Sequence, residues 1–297
     1  MMTRDDTLGT RLFVIFNYSF LSLVGLICLL PFINLLATSF SGSTAVASGE
    51  VKFWPVDFTL ASYEFAMRSK QFSQSMLVAV ERVALGVVVN MLLTILAGYA
   101  LSKEKGNFKW RNFYAWFFVV TILFSGGLIP WYVVISKTGL IDSIWALILP
   151  NALPVFNVIV LLNFFRGLPK ELEEAAFMDG ASHWTVLWKI ITPLSKPALA
   201  TLTLFCIVNH WNSWFDGLIL MNRTENYPLQ SYLQTVIINP ENIINLSRGD
   251  YADLLNLVNA RTSRAAQLFM GTLPILLVYP FLQKYFTSGL VLGSVKG

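Results

Sequence analysis

The sequence predicts an all-α, polytopic membrane protein with six transmembrane helices. Only 13% of its 297 residues are charged and 55% are hydrophobic, whereas soluble domains are roughly 25% charged. The mean hydropathy is +0.61. These values exclude a water-soluble enzyme, and they exclude a disordered chain because disorder requires high charge and few apolar residues. The apolar residues are concentrated in several long runs, which predicts several spans rather than one anchor.

Six runs are long enough to cross a membrane. A bilayer core about 30 Å thick requires roughly 20 mostly apolar residues in a helix. No run alternates strictly between polar and apolar residues, so helices are favoured over strands. In chain order the predicted spans run from Leu12 to about Phe40, about Phe72 to Leu101, Phe113 to about Ile135, Ser143 to Phe165, Ala198 to Met221, and about Gln267 to Phe286.

The first run is predicted to remain as a membrane helix. Arg4 and Arg11 precede its apolar part, and the sequence Ala45-Val46-Ala47 has the small residues of a cleavage site. The apolar part of a signal peptide is, however, about 7–15 residues long, and this run is far longer. Removal as a signal peptide is therefore the weaker interpretation.

Basic residues in the loops predict the orientation. The short loop from Ser102 to Arg111 carries four cations and a single acid, Glu104. Because cytoplasmic loops are enriched in Lys and Arg, this loop is expected inside, with both termini cytoplasmic. Residues 41–71 and 222–264 then form extracytoplasmic loops. The net charge of +4 reflects this orientation and does not indicate a nucleic-acid partner.

The inward segment 166–196 carries the most informative pattern. Pro169 is expected to open a short helix, and Gly180 to close it, since glycine accepts a left-handed conformation. A second helix is predicted from about Ser182 to Ile191, with Pro193 breaking it before the fifth span. On composition alone, this helix-turn-helix is typical of an interfacial connector between two spans.

The spacing of particular residues in this segment resembles a known motif. Glu174-Ala175-Ala176, followed by Gly180, Ile190 and Pro193, resembles the EAA motif of permease subunits of ATP-binding-cassette (ABC) importers. Thr192 stands where that motif usually has leucine. The resemblance covers most of the chain and implies a type I ABC importer (MetI-like) permease fold, formed by a single transmembrane domain over residues 1–297.

Further stretches resemble the carbohydrate-uptake branch of this family. The ending Gly293-Ser294-Val295-Lys296-Gly297 is similar to that of the smaller maltose-importer permease. Three other stretches resemble permeases for larger oligosaccharides, among them importers of acidic alginate and aldouronate fragments. They are Phe53-Trp54-Pro55, Gly126-Gly127-Leu128-Ile129-Pro130 and His210-Trp211-Asn212-Ser213-Trp214-Phe215-Asp216.

The resemblance implies a set of partners in the bacterial inner membrane. They are a second homologous permease in a heterodimer, two ATPase subunits, an extracytoplasmic solute-binding protein, an oligosaccharide substrate and the lipid bilayer. The chain contains no Gly-x-x-x-x-Gly-Lys-[Ser/Thr] pattern, so it is not expected to be an enzyme. It is expected to hold no cofactor or metal itself, because ATP and magnesium belong to the partner ATPase.

The resemblance also implies residue roles at the ATPase interface. Glu174 would offer a carboxylate to an ATPase cation, small alanines would let the helix enter a groove, and Asp179 would cap or brace the second helix. The C-terminal tail would contact the ATPase through Ser294 and Lys296, although a frayed end is an equal alternative. The expected coupling residues are Glu174, Ala175, Ala176, Asp179, Gly180, Ala181, Ile190 and Pro193.

The fifth span carries a polar stripe. At about 100° per residue, Asn209, Asn212, Ser213 and Asp216 fall on one helical face, opposite Trp211 and Trp214. The stripe is either the wall of a substrate pathway or a hydrogen-bonded helix seam. The tryptophans could stack on sugars or pack, and Asp216 could be paired. The candidate pathway residues are Asn209, Trp211, Asn212, Trp214 and Asp216.

The sequence also allows alternatives for two charged residues and for the function. Glu81 and Arg82, early in the second span, are expected to pair with other helices rather than to form a gate. A secondary transporter driven by an ion gradient is the alternative function, although no inverted repeat is evident. A membrane enzyme is disfavoured because the two histidines, His183 and His210, lack the spacing of metal ligands.

Overall fold

The computed structural model describes residues 8–104, 106, 108–238 and 257–289, and all regular elements in these ranges are helical. The chain divides into two compact units, Met1–Lys70 with Thr235–Gly271, and Gln71–Gln234 with Thr272–Gly297. The fifteen α-helices of the described residues are α1 (Leu8–Ser39), α2 (Ser43–Ala47), α3 (Ala61–Arg68), α4 (Lys70–Ser102), α5 (Arg111–Leu123), α6 (Leu128–Lys137), α7 (Ile144–Ile148), α8 (Val155–Arg166), α9 (Glu171–Met178), α10 (His183–Val186), α11 (Thr192–Leu194), α12 (Lys196–Asn212), α13 (Phe215–Leu220), α14 (Leu229–Ile238) and α15 (Ala260–Gly289).

Two helices are single, continuous candidates for membrane spans. Helix α1 has 32 residues and α4 has 33, and both are apolar enough to cross a bilayer. They confirm the first two predicted spans to within a few residues. Most apolar side chains of α1 are exposed on the surface of the chain, which suits a helix that faces lipid or another membrane subunit.

The third and fourth predicted spans are each formed by two helices that meet at a sharp bend. Helices α5 and α6 meet at 117° and α8 is bent by 49° from the segment Ile144–Asn151. Gly127 adopts a φ of +83° at the first break, while Pro150 and Pro154 interrupt hydrogen bonding at the second. With each bent pair counted as one span, the described residues hold up to five candidates.

The predicted fifth span is divided between two helices, whereas the predicted sixth span lies within one. Helix α12 ends at Asn212 and α13 begins at Phe215, so the fifth span does not continue to Met221 as one helix. The sixth lies within α15, which has 30 residues and contains Pro274 and Pro280. Because the side chains beyond Pro280 lie outside the description, the membrane crossing of α15 stays a prediction.

The first unit contains the end of α1 and the beginning of α15. Phe40 stacks on Phe58 and Tyr63, with ring centroids 5.5 and 4.8 Å apart. The Asn259 amide donates a hydrogen bond of 2.7 Å to the Ser43 carbonyl. These contacts hold the segment after α1 against the residues that lead into α15.

The core of the second unit lies where the inward segment meets the spans. Side chains from α4, α8, α9, α12 and the helical segment after Ser182 pack together there. In the described residues, this core cluster consists of Ile95, Tyr99, Leu161, Phe165, Ala176, Val186, Leu187, Ile191, Ala198 and Leu202. The inward segment is therefore packed into the unit rather than being a loose connector.

Candidate functional site

The first half of the inward segment forms a short helix and a sharp turn. Helix α9 begins at Glu171, with Lys170 as its N-cap, so Pro169 precedes the helix instead of lying in its first turn. Gly180 has a φ of +79°, as predicted from its position after the helix. The Ala181 amide donates to the Ala176 carbonyl at 2.9 Å, and this bond closes the turn.

The second half differs from the prediction in two respects. Ser182, not Asp179, caps α10, because the Ser182 hydroxyl accepts a 3.3 Å hydrogen bond from the Thr185 amide. Pro193 does not end the second helix, which continues through a π-helical segment, Leu187–Ile191, and through α11 to Leu194. Proline is tolerated in the first turn of a helix, and Pro193 occupies that position in α11. The chain then bends by 83° before α12.

The motif residues lie on two faces of this helix pair. Glu174, Ala175, Asp179 and Pro193 are exposed. The small side chain of Ala176 packs into the core cluster of its own chain, so it is not on the exposed face with Ala175. Ala181 and Ile190 are half-buried and pack against the same cluster. These two residues therefore anchor the helix pair rather than contribute to its exposed face.

The exposed face also carries large apolar side chains. Met178 is 88% exposed and Trp184 is 60% exposed, and both lie close in sequence to the Gly180 turn. An apolar surface beside a carboxylate, here Glu174, is typical of a site where another protein docks. Met178 and Trp184 were not among the residues predicted for this site.

Ion pairs connect α9 to the end of α4. The Lys103 ammonium donates to both carboxylate oxygens of Glu173, at 2.6 and 2.5 Å, and lies 3.8 Å from the centroid of the Tyr99 ring. Burial lowers the pKa of Lys103, while the Glu173 carboxylate opposes this shift. Lys170 forms a second, exposed pair with Glu104, and this pair lowers the pKa of Glu104.

An aromatic contact reinforces this connection. The Tyr99 hydroxyl lies 3.3 Å from Nδ1 of His183, and the His183 ring packs edge-on against Phe177, with centroids 4.9 Å apart. Helix α4 therefore contacts both helices of the inward segment. The basic loop after Ser102 and the glutamates of α9 were visible in the sequence, but their pairing was not predicted.

The predicted polar stripe of the fifth span is not one face of a helix. Ser213 has an extended conformation with a ψ of 118°, which redirects the chain between α12 and α13. Asn209 and Asn212 are exposed whereas Asp216 is buried. Trp211 is buried and Trp214 is 41% exposed, so the two tryptophans do not share a face either.

Asp216 is engaged in a buried ion pair with Arg82. Nη1 of Arg82 donates to Oδ1 of Asp216 at 3.1 Å, and Nη2 of Arg82 contacts the other carboxylate oxygen. The Ser213 hydroxyl and the Gly217 amide donate to Oδ1 at 2.8 and 2.9 Å. This confirms structural pairing for Arg82, whereas Glu81 is exposed. The predicted tail contacts, Ser294 and Lys296, lie outside the described residues.

Proteins similar to this chain are transport permeases. Residues 75–292 match the family described as binding-protein-dependent transport system inner membrane component. The chain is 40% identical over 296 residues to protein LplC of Bacillus subtilis, over 99% of this chain and 98% of that protein. It is 38% identical to the polygalacturonan/rhamnogalacturonan transport system permease protein YtcP of Bacillus subtilis, over 97% and 99% of the two chains.

A solved structure shares the fold over nearly the whole length. It is the crystal structure of a bacterial ABC transporter involved in the import of the acidic polysaccharide alginate. Its matching chain has a TM-score of 0.88 and 33% identity, over 96% of this chain and 100% of that chain. The family match over residues 75–292 spans the inward helix pair, α9 to α11. The chain belongs to the family of binding-protein-dependent transport system inner membrane components, the permease subunits of ABC importers.

Proposed function

We propose that this chain is one of two homologous permeases in an ATP-driven importer of acidic oligosaccharides. A solute-binding protein delivers the substrate from outside, and two ATPase subunits, which hold ATP and magnesium, supply the energy. The names of the relatives support the substrate class, since YtcP carries polygalacturonan or rhamnogalacturonan and the solved transporter imports alginate.

The geometry of the inward helix pair carries this proposal. One face of α9 is anchored in the core cluster through Ala176, while Glu174, Ala175 and Met178 are exposed on the other. A short rigid element with a buried face and an exposed mixed face is suited to transmit a push from a docked partner. We therefore assign α9 as the helix that docks on the ATPase.

The contacts behind α9 provide a route for that push into the membrane. The Lys103–Glu173 pair connects α9 to the end of α4, and Leu187 and Ile191 pack beside Leu161 of α8 and Leu202 of α12. When the ATPase subunits approach each other, α9 moves with them. Because close-packed interiors transmit displacement, the ends of these helices move as well.

The proposed orientation places this helix pair in the cytoplasm. The loop from Ser102 to Arg111, which is rich in cations, contacts α9 through Lys103 and Glu104. The positive-inside tendency of short loops supports a cytoplasmic location for both. The termini are then cytoplasmic too, and the multi-pass chain lies in the inner membrane.

Reconstitution of the importer with its ATPase and binding protein tests the proposal. Glu174→Lys should abolish the ATP hydrolysis that the loaded binding protein stimulates, while the chain still assembles in the membrane. Glu171→Lys reverses another exposed carboxylate of α9 and should retain most of the stimulation. Equal activity of the two variants would contradict the docking role of α9. Uptake that persists with an inactive ATPase would instead indicate a secondary transporter.

A further inference from the structure

The first unit contains an open cavity with two arginines in its wall. The C-terminal half of α1, the segment after α2 and the beginning of α15 line a cavity of about 350 Å³. Pro31, Val51 and Leu268 contribute apolar surface, and Asn34, Arg261 and Arg264 contribute polar groups. The volume lies within the range of about 300–1,000 Å³ that is typical of small-molecule sites.

The two arginines differ from other arginines of the chain. In the described ranges, Arg68, Arg82 and Arg223 each pair with a carboxylate. The side chains of Arg261 and Arg264 make no hydrogen bond or ion pair with any described residue, although the Arg261 backbone amide donates to the Asn259 side chain. Residues three apart lie on neighbouring positions of one helical face. Two positive charges thus lie close together, and their side-chain donors have no partner among the described residues.

The wall of the cavity is held by contacts that do not involve these arginines. The Asn34 amide nitrogen donates a hydrogen bond of 2.6 Å to the Lys52 carbonyl, which connects α1 to the segment after α2. Asn259, through its bond to the Ser43 carbonyl, connects that segment to the start of α15. Substitution of Arg261 or Arg264 should therefore leave the cavity in place.

We propose that this cavity binds a carboxylate of the acidic oligosaccharide as the sugar enters the transporter. Guanidinium groups bind carboxylates through two parallel hydrogen bonds, and Arg261 and Arg264 offer such groups. The apolar faces of Pro31 and Leu268 suit the carbon-rich face of a sugar ring. The inference rests on the proposed function and its orientation, which place the C-terminal end of α1 and the start of α15 on the extracytoplasmic side of the membrane.

An acidic side chain of the binding protein offers the same chemistry. The concave shape of the cavity favours the sugar, because a protein side chain on a docking surface requires no cavity of this volume. The experiment therefore separates the two sources of the carboxylate by using a charged sugar, a neutral sugar and a binding protein without sugar.

The test uses the reconstituted importer with oligogalacturonate and its methyl ester, which lacks the negative charges. Arg261→Gln/Arg264→Gln should lower uptake of the acid about tenfold, as expected for loss of a charge-assisted bidentate contact, and leave uptake of the ester unchanged. Arg264→Lys, which retains the positive charge, should lower uptake of the acid less than the double variant does. Arg68→Gln removes another cation of the outer loops, paired with Glu64, and should have little effect on either substrate.

Three results would overturn the inference. One is an equal loss of uptake for the acid and the ester in the double variant. Another is no loss for either sugar. A third is weaker binding of the binding protein without sugar, which would assign the arginines to the protein interface. A wild-type importer that hydrolyses ATP but takes up neither sugar would contradict the proposed function itself. Both arginines are present in the wild type, so their loss could not explain that result.

Discussion

Arg82 of α4 and Asp216 of α13 form a buried ion pair between residues 134 positions apart in the chain. Arg82 is 1% exposed and Asp216 is 7% exposed. The Arg82 guanidinium also donates to the Ser213 carbonyl at 3.2 Å, at the point where α12 has ended. The pair therefore supplies partners for polar groups that a broken helix leaves unsatisfied, and it joins α13 to α4.

Removal of one partner of this pair should be more harmful than removal of both. Arg82→Leu leaves the Asp216 carboxylate buried without its cation, which typically costs about 3–5 kcal/mol, whereas replacing both members of a buried pair is often nearly neutral. We expect a clear fall in the thermal denaturation midpoint of the purified importer for Arg82→Leu. The double variant Arg82→Leu/Asp216→Leu should recover much of that loss.

Glu81 provides the matched control for this experiment, since it is adjacent to Arg82 and exposed. Glu81→Leu should leave the midpoint almost unchanged. The single variants Arg82→Leu and Asp216→Leu each lower the midpoint by some amount. If the double variant lowers it by the sum of these two amounts, the two residues do not stabilise the protein as a pair.

The Lys103–Glu173 contact should be required for coupling. Lys103→Glu places two carboxylates together in a partly buried site, and the lost charged hydrogen bonds are worth roughly 1–3 kcal/mol. We expect this variant to lower the ATP hydrolysis stimulated by the binding protein. The exchange Lys103→Glu/Glu173→Lys restores opposite charges and should recover a large part of the stimulation.

The neighbouring Lys170–Glu104 pair is exposed to solvent and serves as the control. Lys170→Glu should have a small effect, because exposed pairs contribute little. No recovery in Lys103→Glu/Glu173→Lys, or an effect of Lys170→Glu equal to that of Lys103→Glu, would argue against a specific role for Lys103.

Gly86 should not tolerate a larger side chain. A Cβ atom at this position of α4 would overlap the buried ring of His210 on α12, and overpacking of a close contact typically costs about 1–3 kcal/mol. Gly86→Ala should therefore lower the denaturation midpoint. Gly25→Ala in α1 meets no atom within 4 Å and should not. Pairing Gly86→Ala with His210→Ala should restore part of the stability.

Gly180 should be required for its backbone conformation rather than for space. Its φ is +79°, and a Cβ atom there would meet no atom within 4 Å. A β-branched residue is strained in this left-handed region by roughly 1–2 kcal/mol, whereas asparagine accepts it. We expect Gly180→Val to reduce stimulated ATP hydrolysis much more than Gly180→Asn. Equal loss in both variants would indicate instead that the ATPase surface excludes any side chain here.

The sequence by itself determined the membrane character, the approximate place of the spans and the inward helix pair. These features follow from local properties: runs of apolar residues, basic residues in a short loop, and the glycine that permits a left-handed turn at Gly180. It also contained the motif around Glu174 that leads to the family. Such signals are readable because each depends on residues close together in the chain.

Only the tertiary structure decided where the spans break and which polar groups meet. The end of α12 at Asn212 is stable because Arg82, distant in sequence, satisfies Asp216 and the Ser213 carbonyl. The sequence does not show that Arg82 is the partner, and the spacing from Asn209 to Asp216 therefore predicted a regular helix with one polar face. The same holds for Ala176. The resemblance to the motif predicted that its small side chain enters a groove of the ATPase, but in the structure it lies in the core of its own chain. The spacing of residues along a helix fixes their angular positions, but the neighbouring helices decide which of those positions are buried.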